Sequence, residues 1–173
     1  MSQDGWRCRL HRHRQPDNGG QATITIMSGS SEQTNCAAEL EFPSNLESVD
    51  TAEATALEIA AQCGVGEDEL HRVGMSVREA MVNAIVHGNK YNRNKKVRLR
   101  IDRSADTFTV TISDEGQGFD PEAVPDPNTE ENVLRQSGRG IMLIRAFMDE
   151  YHVNARPQGG TEVKLVKKIE KAT

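Results

Sequence analysis

The stretch Val77 to Asn89, VREAMVNAIVHGN, places a carboxylate, a carboxamide and an imidazole at every fourth position: Glu79, Asn83 and His87. At about 100° per residue, such positions form a shallow stripe along one face of a helix. Leu70, Val73, Val77, Met81 and Ala84 form an apolar stripe on another face. Val82 and Val86 lie on one side of the polar row and Ala80 on the other, so the row is expected to be partly enclosed. Taken alone, it also fits a surface stripe at the edge of a core helix. Further along, Asp114 opens Asp-Glu-Gly-Gln-Gly, with Gly116 and Gly118, and Gly138-Arg139-Gly140 opens another helical pattern. Glycines let a backbone approach a ligand closely and adopt positive φ. A glycine-flanked helix start offers free N–H groups and a positive dipole end, which suit phosphate. The chain has no Gly-x-x-x-x-Gly-Lys-Ser/Thr, and no Gly-x-Gly-x-x-Gly opens a helix directly after a strand. Neither a P-loop nor a dinucleotide fingerprint is therefore present.

These groups need elements to hold them. Cys36 to Phe42 alternates apolar and polar residues and predicts a strand, ended by Pro43. A helix is expected from about Leu46 to Cys63, with Val49, Ala52, Ala56, Ile59 and Ala60 on its inner face and Gly64 and Gly66 after it. The second helix is expected from about Asp68 to His87, ending at Gly88. Two strands follow, one with Val97, Leu99 and Ile101 on a face, the other with Phe108, Val110 and Ile112; Ser-Ala-Asp turns between them. Glu115 to about Ser137 is a long polar connection with Pro121, Pro125 and Pro127, which reads as a lid or binding loop. A short helix is expected from near Gly138, carrying Ile141, Ile144 and Met148. Strands Tyr151–Ala155 and Thr161–Val166 flank the turn Pro-Gln-Gly-Gly. This order predicts an α+β fold, a two-layer sandwich of a mixed, mostly antiparallel sheet with helices on one face.

Strand parity adds a clue. Asp114 shares parity with Val110 and Ile112, and Thr161 with Val163 and Leu165, so both are expected to face the helix layer. A carboxylate there is costly unless something pairs with it. An acid and a hydroxyl at strand ends predict a pocket between sheet and helices. Fraying at the strand ends is the alternative.

The 173 residues suffice for one domain, expected over residues 36–170, and the first 35 read as a disordered tail. WRCRLHRHRQ is basic, without hydrophobic period and without the apolar centre of a secretion signal. Met27 offers an alternative start. A net charge of −5 argues against direct nucleic-acid binding. No apolar run approaches a membrane span. Cys8, Cys36 and Cys63 show no metal-ligand spacing and no disulfide framework, so a reducing cytoplasm is the default, with Cys63 in the core.

The ordered set is more specific than its parts. Glu-x-x-x-Asn on a helix, Asp-x-Gly-x-Gly after a strand, Gly-x-Gly at a helix start and Gly-Gly-Thr before the last strand resemble the GHKL ATPases, with their Bergerat ATP-binding fold. Within that superfamily the chain resembles anti-sigma factor serine kinases of the RsbW type, through VREAMVNAIVHGN, SDEGQGFDP and GRGIMLIRAFMDEY, over roughly Ala37 to Lys167. The resemblance implies ATP and Mg²⁺ as ligands, with Asn83 holding the metal and Glu79 the general base toward a serine hydroxyl. It implies Asp114 as the acceptor for the adenine amino group, supported by Thr161, with Gly116 and Gly118 passing close to the base. Gly138, Arg139 and Gly140 correspond to the phosphate end of the lid. His87 and Asn89 lie where the helix ends near the phosphates, with His87 a contact. The implied partners are a sigma factor and a STAS-domain antagonist of the anti-sigma factor, and a homodimer is the family precedent. A nucleotide-gated binder without phosphotransfer and a detached histidine-kinase domain are the alternatives. The latter is disfavoured because the upstream helix carries no His.

Overall fold

Five strands form one sheet: β1 Asn35–Pro43, β2 Lys96–Arg103, β3 Thr107–Ser113, β4 Glu150–Ala155 and β5 Thr161–Lys168. The computed structural model describes residues 35–118 and 136–169. The strand order is β1-β2-β3-β5-β4, and every ladder is antiparallel, with no parallel pair among the described residues. Register follows the two-residue period of the apolar side chains. Leu40 lies opposite Leu99, Leu99 opposite Ile112, Ile101 opposite Val110, and Val110 opposite Leu165. All six are buried and form the floor of the core. Side chains of the other parity turn away from it. There Arg98 pairs with Glu41 at 2.6 Å and Arg100 with Asp102 at 2.9 Å.

Helices α1 (Glu47–Gln62), α2 (Glu67–Asn83) and α3 (Gln136–Phe147) belong to the second layer. The expected inner face of α1 is buried throughout, as are Val73, Val77 and Met81 on α2 and Ile144 on α3. Cys63 closes the end of α1 and is buried, as its apolar position predicts. Arg78 on α2 pairs with Glu53 at 2.7 Å and with Asp50, fastening α2 to α1 at the surface.

The second helix departs from expectation. Its α-helical ladder stops at Asn83, and Ala84–Gly88 form one π-helical turn. Asn89 N–H bonds to Ala84 C=O at 2.8 Å, five residues back, and Tyr91 N–H to Ile85 C=O at 3.0 Å. His87 lies within this turn and is exposed. Lys90 and Tyr91 follow with φ of 51° and 57°, a conformation that non-glycine residues rarely hold. The third helix starts at Gln136, two residues before the expected start. The tail through residue 34 and lid residues 119–135 lie outside the described residues.

Candidate functional site

Asp114 follows β3 directly and is 4% exposed. The helix-facing side predicted from parity is where it lies: a Cβ built on Gly88, at the end of the π-helical turn, would fall onto its carboxylate. Oδ1 accepts two backbone N–H groups, from Gly116 at 2.8 Å and Thr161 at 3.1 Å. The strand ends are tied by Asp114 N–H to Thr161 C=O at 2.9 Å, and Arg156 donates to the Asp114 carbonyl at 2.7 Å. Thr161 thus braces the acid through its backbone N–H. Burial pushes the Asp114 carboxyl above the usual carboxylate range, against the pull of the Gly116 and Thr161 amides and of Arg156 and Lys95. The Gly116 and Thr161 amides engage Oδ1, and Oδ2 takes no hydrogen bond from the described residues. The group is therefore an acceptor with one oxygen anchored and one available.

Glycines enclose this acid because any side chain would strike it or its backbone. Gly116 lies against the Gly88 carbonyl, and Gly160, at φ of 90°, against the Asp114 carbonyl. Gly118, at φ of 80°, has the Gly160 carbonyl 3.2 Å from where its Cβ would stand. The sequence motif named Gly116 and Gly118. Gly160 belongs to the Gly-Gly-Thr motif, Gly88 reads in the sequence only as a helix end, and Arg156 carries no signal at all.

Nine residues before Gly88, Glu79 is half-buried on α2. A Cβ on Gly140 would overlap the Glu79 side chain from Cγ to Oε1, so α3 lies directly on this carboxylate. Asn83 is one turn further along, half-buried, the last residue of α2. Gly138 and Arg139 sit in the first turn of α3, where N–H groups lack helical partners, and Arg139 is exposed. Gly140 is the fifth residue of that helix, so its closeness to Glu79 accounts for it better than an unpaired amide does.

The row thus runs from Glu79 beneath α3 to Gly88 beneath Asp114, a span of about 13 Å at 1.5 Å per residue. One end offers a carboxylate and a helix start, and the other a buried acceptor in a glycine cage. A long ligand with a hydrogen-donating ring at one end and negative charge at the other matches both ends. No cluster of three His, Cys, Asp or Glu residues that would hold a metal occurs among the described residues. A cation here would take most of its ligands from the bound molecule and from water, the habit of Mg²⁺.

The family described as histidine kinase-like ATPase domain matches residues 42–167. The chain is 33% identical over 135 residues to the anti-sigma F factor of Bacillus subtilis, covering 77% of this chain and 92% of that protein. It is 31% identical over 132 residues to the anti-sigma F factor of Clostridium beijerinckii, covering 75% and 92%. It is also 30% identical over 140 residues to the serine-protein kinase RsbW of Staphylococcus epidermidis, covering 77% and 87%.

Proposed function

Because the chain belongs to the histidine kinase-like ATPase domain family, we propose that it is an anti-sigma factor that phosphorylates a serine of its antagonist with ATP. The observation that carries this reading is the single helix that meets α3 at the half-buried Glu79 carboxylate and the caged Asp114 at Gly88. Asp114 Oδ2 accepts the adenine amino group. The triphosphate runs back along the row toward Asn83 and the first turn of α3, whose N–H groups face negative charge favourably. The Asn83 carboxamide oxygen would hold Mg²⁺, which would supply neutralising charge for the phosphoryl oxygens. Glu79 accepts the proton of the incoming serine hydroxyl. The serine oxygen bonds to the γ-phosphorus as the bond to the bridging oxygen breaks, and ADP leaves with that electron pair. The names of the relatives point to a sigma factor as the protein held and to a serine protein as the substrate. A small STAS-domain protein is the substrate class we assign.

The test incubates the chain with labelled ATP, Mg²⁺ and small STAS-domain proteins of the same genome. Label on a serine of one of them is expected. If ATP binds, a sigma factor is retained and no STAS-domain protein takes up label, the chain is a nucleotide-gated binder and the kinase reading falls.

A further inference from the structure

Asn89 is 2% exposed, and its carboxamide is shared among three segments. Nδ2 donates to Ser44 Oγ and to the Lys96 carbonyl, both at 2.9 Å, and Oδ1 accepts the Glu115 N–H at 2.8 Å. Ser44 Oγ donates in turn to the Lys95 carbonyl at 2.7 Å. Glu115 completes the arrangement from outside: its Oε2 accepts the Lys96 N–H at 2.8 Å. Asn89, Lys96 and Glu115 therefore close a ring in which each residue donates one hydrogen bond and accepts one. The ring includes the residue between Asp114 and Gly116, and the residue that follows Gly88.

We propose that Asn89 is a positioning residue for nucleobase specificity, fixing the Asp114–Gly116 loop against the end of the α2 row. The proposal rests on the assignment of Asp114 to the adenine amino group. Two ties of the acid do not reach the helix side. The Gly116 N–H is internal to the loop, and Thr161 anchors the loop to β5. Asn89 is the tie to the residues that follow Gly88. Adenine presents an amino donor where guanine presents a carbonyl acceptor. A carboxylate held still accepts from the first and repels the second, and a buried polar mismatch of that kind discriminates strongly. A carboxylate free to swing loses the repulsion first.

The test is calorimetric titration of the full chain with Mg-ATP, Mg-GTP and Mg-tripolyphosphate, with melting temperatures alongside. The variants are Asn89→Ala, Glu115→Ala and Glu115→Gln. Loss of one or two of these hydrogen bonds should narrow the preference for ATP over GTP by about threefold to tenfold, with tripolyphosphate affinity unchanged. Glu115→Gln keeps an acceptor for the Lys96 N–H and should retain the wild-type preference. Glu115 is exposed, so its Ala variant tests the ring even where Asn89→Ala fails to fold. An unchanged preference in Glu115→Ala overturns the proposal. So does a parallel loss of ATP and tripolyphosphate affinity, the mark of a general structural role. A wild-type chain that binds tripolyphosphate but prefers neither nucleotide overturns the adenine assignment itself.

Discussion

Asp114 sets function against stability in one side chain. A buried acid whose pKa is raised in the fold binds protons more tightly folded than unfolded. Stability therefore falls as pH rises from the ordinary aspartate range through the raised value, and the loss is complete above it. Asp114→Asn removes the charge while its amide oxygen still accepts from Gly116 and Thr161. Its melting temperature at neutral pH should match or exceed that of the wild type, with a flatter acid limb. Its ATP affinity should fall, because the amide does not reproduce the charged acceptor. In the wild type, ATP affinity should weaken as pH drops through the raised value, since only the ionised form accepts on both oxygens. Calorimetry and melting across pH check each sign. Glu79 and Asn83 share a face but should fail differently. Glu79→Gln should hold Mg-ATP and lose about a hundredfold to ten-thousandfold in transfer rate. Asn83→Ala should lose both Mg²⁺-dependent binding and transfer. Single-turnover assays beside titrations separate the two, and wild-type transfer by Glu79→Gln would remove Glu79 from the chemistry.

At the scale of elements, α3 carries one contact for function and another for stability. Gly140→Ala gives α3 a better helix former, worth about 1 kcal/mol. The new methyl displaces the flexible end of Glu79. We expect an unchanged or higher melting temperature with a lower phosphotransfer rate, an opposition that a folding defect does not produce. At the other end of α3, the buried Lys167 of β5 donates to the Phe147 carbonyl at 3.0 Å, pairs with Glu69 of α2 and lies 3.6 Å from Asp149. Removing one partner of a buried pair costs roughly 3–5 kcal/mol, and the partial exposure of both carboxylates places this case at the low end. Lys167→Met should lower the denaturation midpoint accordingly. Adding Glu69→Gln should recover part of the loss, because the stranded charge is then gone.

At the scale of the molecule, the family match begins at residue 42 and β1 at Asn35, so the residues before Met27 lie outside both. A chain beginning at Met27 should keep its melting temperature and ATP affinity, checked by scanning calorimetry and titration; a large drop in either would show that the basic segment docks on the domain. The two-residue period of Val97–Ile101 and Phe108–Ile112 determined the sheet face, because a buried face admits one register. The spacing of Val73, Val77 and Met81 determined the core side of α2 in the same way. The parity of Asp114 foretold its direction, and its glycine motif named half of the cage. What only the tertiary structure decided depends on residues far apart in the chain. The helix widens into a π-helical turn after Asn83, and the last residue of that turn, Gly88, meets Asp114. Gly140 is small because Glu79, from another helix, occupies its Cβ space. Asn89 is buried because Ser44, Lys96 and Glu115 converge on its carboxamide. Periodicity records which side of an element is buried, whereas these contacts pair single atoms across long loops, and no local pattern encodes that pairing.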